Sequence, residues 1–236
     1  MNKKKNKTYY TYTLNMTILN ILAIILFIIV GSIVYLIEFN EIYTINLSMS
    51  NFFLLMFIWL IIHELLHGIG FLLFREVSIK NITLGMLLEK GVFYCMCKQN
   101  IGKKVILTSL LFPITIIGFI TLIIGIIINN YELVFLSILN IVSSIGDIVM
   151  IIYFLKCPSY IIYLDLDDCT SFTVVSNKSL DNIKVPGIIL SKKGIYNPAL
   201  MYSKDKRRII ISKLSYLLLI IIFILIIISI LKRIYY

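Results

Sequence analysis

Five stretches of the chain stay apolar long enough to cross roughly 30 Å of hydrocarbon as helices of about 20 residues. They lie near residues 14–37, 51–74, 105–128, 132–155 and 209–231. Between the second and third, residues 75–104 alternate polar and apolar positions around Gly85 and Gly91. That pattern reads as a hairpin or two short strands whose edge could pair with an extended peptide, with a plain connecting loop as the alternative. Between the fourth and fifth, "SYIIYLDL" and "SFTVVS" read as short strands, followed by Pro186, Gly187 and a lysine-rich run to "KDKRR". The expected fold is therefore an all-α integral membrane protein of five spans, with a strand-like segment after helix two and a small β-rich appendage before helix five. Its divisions are a four-span membrane domain over 1–155, a segment over 156–208 too small for an independent core, and a last helix within 209–236.

Composition agrees with the pattern, because 60% of the 236 residues are hydrophobic. A net charge of +10 would suggest nucleic acid in a soluble protein, but here the basic residues fall between spans. Four lysines precede the first span, six Lys and Arg lie in 75–104 and nine in 156–208, whereas 38–50 and 129–131 hold none. Cytoplasmic loops carry this excess, so the amino terminus is expected on the inner side of a bacterial cytoplasmic membrane, with the first span as an uncleaved anchor. Lys232 and Arg233 run against the rule. The run Lys204 to Arg208 then reads as a flank against anionic lipid, and no nucleic-acid partner is expected. Tyr9 to Tyr12 and Tyr235–Tyr236 suit interfacial aromatic belts. Four cysteines on the cytoplasmic side are expected reduced.

The chemistry lies in "IIHELLHGIGF", which carries the chain's only two histidines inside the second span. On a helix, residues i and i+4 project from one face, so His63 and His67 can offer ring nitrogens to one ion while Glu64 stands beside it. This is H-E-x-x-H spacing: two imidazoles bind zinc, and the carboxylate takes a proton from water. A histidine pair packed into a polar helix interface is the blander reading, and it leaves Glu64 in need of a partner.

A catalytic zinc usually has three protein ligands. Asp147 is the candidate for the third, since an isolated carboxylate inside a span is costly. With helix two ending near Phe74, His63 and His67 lie roughly 16 and 11 Å from the surface, and Asp147 roughly 12 Å from it by way of Leu155. Asn140, Ser143 and Ser144 share its helical face and are candidates for second-shell contacts, for oxyanion donors or simply for interhelical glue. Asp165, Asp167 and Asp168 form a rival cluster that reads as a solvated face. Trp59, one turn before His63, borders the cavity or packs.

"HELLHG" in a span, "GVFYC" in the segment after it, "LLFP" opening the next helix and "GD" in a later one resemble the zincin-peptidase family of small bacterial membrane proteins. These are similar in plan to the site-2-protease class of intramembrane metalloproteases. The resemblance runs from about Phe52 to Val175. It implies zinc ligation by His63 and His67, catalysis by Glu64, and a third ligand from a later span, here Asp147. The site-2 class carries Leu-Asp-Gly at that aspartate, where this chain has Ile-Gly-Asp. The expected activity is hydrolysis of peptide bonds in membrane proteins or hydrophobic peptides. A metal or proton carrier built on the same groups, or a zinc-binding accessory protein, are the alternatives. For the topology, a cysteine label placed at Glu41 is expected to react from outside and one at Asn177 from the cytoplasm, and reaction from the same side would overturn the span count.

Overall fold

In a computed structural model of the chain, residues 7–37, 49–87, 92–166 and 170–196 are described. The first element is a strand, β1 (Thr8–Leu14), in which Tyr10 and Tyr12 are buried and their neighbours are less so, the two-residue period of a strand with one face on a core. It runs straight into α1 (Met16–Ile37), whose Ile21, Ile24, Ile28 and Leu36 are exposed, as on a lipid-facing helix. Then come α2 (Met49–Leu72), a hairpin of β2 (Ile82–Leu87) and β3 (Val92–Cys97), and the two-residue strand β4 (Ile101–Gly102). A continuous helical stretch follows as α3 (Lys103–Pro113), a π-helical segment Ile114–Ile120 and α4 (Thr121–Ile127). After it stand α5 (Tyr131–Ser143) and α6 (Ile145–Lys156), and the described chain closes with β5 (Ile161–Asp165), β6 (Ser171–Ser176) and β7 (Ile188–Ile195).

Three stretches are long and apolar enough to cross a membrane: Met16–Leu36, Leu54–Leu72 and Lys103–Ile127. The fourth expected span is broken, because α5 and α6 meet at an angle of 50°. The fifth, 209–231, lies outside the described residues. In the third span Pro113 withholds a backbone donor and the helix widens into its π-helical segment directly afterwards.

The expectation of an all-α protein is overturned. Five strands form an antiparallel sheet in the order β4-β5-β6-β1-β7, beside the separate β2–β3 hairpin. Sequence reading finds β5, β6 and the hairpin but not β1, which lies inside the sheet between β6 and β7. "TYYTYTL" next to a lysine run and a span satisfies the pattern of an interfacial belt, yet its tyrosines alternate with threonines, and Thr11 and Thr13 pair with Thr173 and Ser171 through their hydroxyls. β7 is hidden for another reason: it is an edge strand with most side chains exposed, so lysines occupy it without cost to the core.

α6 is the platform on which the sheet rests. Its Tyr153 and Phe154 are fully buried, and Phe172 of β6 has its ring 5.6 Å from Tyr12, 5.7 Å from both Tyr153 and Phe154, and 5.9 Å from Tyr163. Such aromatic contacts add to the area they bury. Phe172→Ala removes the ring on which the other four converge and is expected to cost about 3 to 5 kcal/mol, read as a lowered midpoint of thermal unfolding in detergent. An unchanged midpoint would show that the sheet does not depend on this cluster.

Candidate metal centre

The site begins with the packing of α2 on α3. A Cβ at Gly70 would stand 2.7 Å from Ser109 Cα, so the absence of a side chain there lets the two backbones close. That approach brings the Ser109 carbonyl within 2.9 Å of His67 Nδ1, while the Ser109 hydroxyl donates to the His67 carbonyl at 3.0 Å. A carbonyl only accepts, so Nδ1 of His67 carries a proton, and in the neutral ring that binds a metal Nε2 presents the lone pair.

The second histidine is oriented the same way from another helix. His63 Nδ1 donates to Asn140 Oδ1 at 2.8 Å, which again leaves Nε2 as the acceptor. Gly118 of the π-helical segment permits this, since a Cβ there would lie 3.0 Å from Ile141 and 3.5 Å from Asn140 Nδ2. At the end of α5 the hydroxyls of Ser143 and Ser144 both donate to the Asn140 carbonyl, at 3.0 and 2.7 Å, beside the Ser144 backbone amide that donates to it at 3.0 Å. The chain then turns into α6 and sets Asp147 in its first turn.

Three acceptor atoms converge. His63 Nε2 lies 3.1 Å from His67 Nε2 and 3.2 Å from Asp147 Oδ2, and His67 Nε2 lies 3.4 Å from the same oxygen. Both histidines are buried. Lone pairs forced together in this way repel unless a cation sits among them, and one shared proton would serve only one pair. Tetrahedral zinc at about 2.0 Å from each ligand needs ligand atoms about 3.3 Å apart, close to the spacing found. His63, His67 and Asp147 are the group that could hold a metal ion among the described residues.

Glu64 stands outside this trio and lines the same cavity as Cys95 of β3. The four groups open into a cavity of about 210 Å3 floored by Phe71, Ile106, Leu110 and Met150 and roofed by Leu14, Tyr163, Asp165 and Phe172 of the sheet. Ser143 lines it; Asn140 and Ser144 do not, Asn140 bonding the His63 ring and Ser144 the Asn140 carbonyl. Trp59 does not line it either. Asp165 is part-buried and hydrogen-bonded instead of forming a solvated face, while Asp167 and Asp168 lie outside the described residues. Burial raises the Cys97 thiol to about 11 and the Cys95 thiol further, with the charges of Glu64 and Asp165 adding to the latter, and no disulfide joins the described cysteines. Burial, then the charge of Asp165, hold the Tyr163 phenol well above its usual range. Sequence reading misses the Ser109 carbonyl and the sheet roof, because a backbone group and distant strands leave no motif.

Residues 56–162 match the family model described as "Putative zincin peptidase", a span that contains His63, Glu64, His67 and Asp147. The match supports a metallopeptidase with zinc as its metal. No curated protein and no solved structure matches the chain.

If Asp147 completes the site, Asp147→Ala should lose most of its zinc on purification, measured by mass spectrometry of metal content, because two histidines leave the ion under-coordinated. Asn140→Ala should weaken zinc about 10- to 100-fold by releasing the His63 ring, whereas Ser143→Ala should retain it. Full zinc in Asp147→Ala would remove that residue from the site.

Proposed function

We propose that this metallopeptidase is a membrane-embedded zinc protease that hydrolyses peptide bonds in membrane proteins or hydrophobic peptides. The observation that carries the reading is the convergence of three acceptor atoms at tetrahedral spacing with a carboxylate beside them and not among them. His63, His67 and Asp147 would hold the metal. Zinc bound there supplies Lewis acidity, polarising water and the substrate carbonyl.

The remaining work falls to the chain. Asn140 and Ser109 keep both Nδ1 atoms protonated and so keep both Nε2 lone pairs turned inward. Glu64, which lines the cavity beside the ligand atoms, takes the proton of the attacking water and delivers it to the leaving amine. Phe71, Ile106, Leu110, Met150 and Phe172 give the cavity an apolar lining that limits water and accepts an apolar side chain. A helical substrate buries its own peptide bonds, so it must be extended locally to present one. A metal or proton carrier has no use for a carboxylate that stands off the ligand set, which favours hydrolysis. We place the protein in a bacterial cytoplasmic membrane with the sheet and the amino terminus on the cytoplasmic side, in keeping with the lysine and arginine distribution.

Glu64→Gln replaces the base by an amide of the same shape. Hydrolysis of an apolar quenched fluorogenic peptide should fall by about 10² to 10⁴-fold while zinc content stays at the wild-type level. Undiminished hydrolysis in that variant would sink the mechanism.

A further inference from the structure

Three of the helix glycines have a plain packing reason. A Cβ at Gly70 would stand 2.7 Å from Ser109 Cα, one at Gly118 3.0 Å from Ile141, and one at Gly125 2.9 Å from Val134. Gly146, the second residue of α6, has no such reason: beyond its chain neighbours and its own helix backbone, no atom of the described residues lies within 4 Å of the Cβ it lacks. Its backbone does not ask for glycine either, since the positive-φ glycine among the described residues is Gly187. Helices favour alanine over glycine by up to about 1 kcal/mol, so glycine here lowers stability and gains no contact in return. Gly31 also meets open space, but α1, which carries it, lends no residue to the cavity.

The space beside Gly146 belongs to the metal cavity. Gly146 lines it together with Asp147, the next residue, and Met150, one turn further along α6, and it is the only glycine among the described residues that do so. The apolar wall elsewhere is made of large side chains, Phe71, Ile106, Leu110 and Phe172. At about 210 Å3 the cavity is smaller than the roughly 300 to 1,000 Å3 usual for a small-molecule site, so even one methyl group added to its wall takes a noticeable share. The gap also lies close to the chemistry. Consecutive Cα atoms are about 3.8 Å apart, so the bare Cα of Gly146 is a single residue from a candidate metal ligand.

We propose that Gly146 is the specificity-determining residue for the side chain next to the scissile bond: the space left at its Cα receives a large apolar side chain while the adjoining peptide carbonyl is presented to the metal position. The inference rests on the protease reading and deepens it by naming the substrate class, a peptide with a bulky apolar residue at the bond that is cut. It also accounts for a glycine that neither packing nor backbone requires.

The test uses the full-length, zinc-loaded protein in detergent, with Gly146→Ala and Gly146→Leu beside Gly70→Ala. Both Gly146 variants should keep their zinc and unfold at or above the wild-type midpoint, because nothing stands in the way of the new side chain, whereas Gly70→Ala should unfold earlier. Two quenched fluorogenic peptides, one with a leucine core and one with an alanine core, read the specificity. The ratio of kcat/KM for the leucine core over the alanine core should fall about 10- to 200-fold in Gly146→Ala, the range that one methylene decides in an apolar pocket, and further in Gly146→Leu. An unchanged ratio, loss of zinc or a lowered midpoint in Gly146→Ala would each overturn the inference. Should the wild type hydrolyse neither peptide, the protease reading falls by itself, and binding of two hydroxamates to the zinc-loaded protein decides alone. Weakened binding of phenylacetohydroxamate in Gly146→Ala, with acetohydroxamate bound as in the wild type, supports the recess; equal effects on both, or no binding of phenylacetohydroxamate by the wild type, overturns it.

Discussion

Two imidazole nitrogens and a carboxylate oxygen lie within 3.4 Å of one another in a buried place, each with a lone pair turned toward the other two. This repulsion is the constraint that the surrounding structure serves. Holding it requires that each ring give its proton to a fixed acceptor behind it, and the two acceptors, a carbonyl on α3 and an amide oxygen on α5, come from different helices. Those helices can stand so close only where side chains are missing, at Gly70 and Gly118. The break between α5 and α6 belongs to the same requirement. One straight helix would carry Asn140 and Asp147 at a fixed spacing and a fixed angle, whereas the bend lets the first reach behind His63 while the second reaches in front of it.

The site also lies at a boundary between two kinds of packing. Below it, apolar helices are held by small residues and by hydroxyl bonds such as Thr121 to Ser137 at 2.7 Å. Above it, an antiparallel sheet presses the rings of Tyr12, Tyr163 and Phe172 onto Tyr153 and Phe154 of α6. The cavity takes lining from both, so its apolar floor belongs to the helices while the sheet contributes the carboxylate of Asp165 and the phenol of Tyr163 to its roof.

How much of this is legible in the residues differs by element. His63, Glu64 and His67 stand out because three ionisable groups at helical spacing inside an apolar run are too costly to leave without a shared task. Asp147 is legible through depth and through the cost of an unpaired carboxylate. The place of Asn140 behind His63 is visible only as a polar stripe, and Ser143 and Ser144 share that stripe for a local reason, the closing of a helix end. Asp165 reads in sequence as one of three aspartates on a solvated face because its partners, Cys97 and Tyr163, are a backbone group and a residue of a strand whose pairing no local pattern reveals. The all-α expectation fails at β1 for a related cause. A seven-residue strand whose partners lie more than 150 residues away carries only its own alternation, and lysines and an adjoining span mask even that.

The place of β1 bears on how the molecule is made. The strand is synthesised first, yet it is completed on both sides by β6 and β7, the last described elements, with every intervening helix already laid between them. Long-range pairing of this kind closes late, after the loop entropy of most of the chain has been overcome. Leu14 and Phe172, which roof the cavity, therefore meet only when synthesis has passed β6. A nascent chain holds its histidine helix long before it holds an enclosed site, and the capacity to cut arises late in biogenesis, when few of the protein's own unfolded segments are still there to be cut.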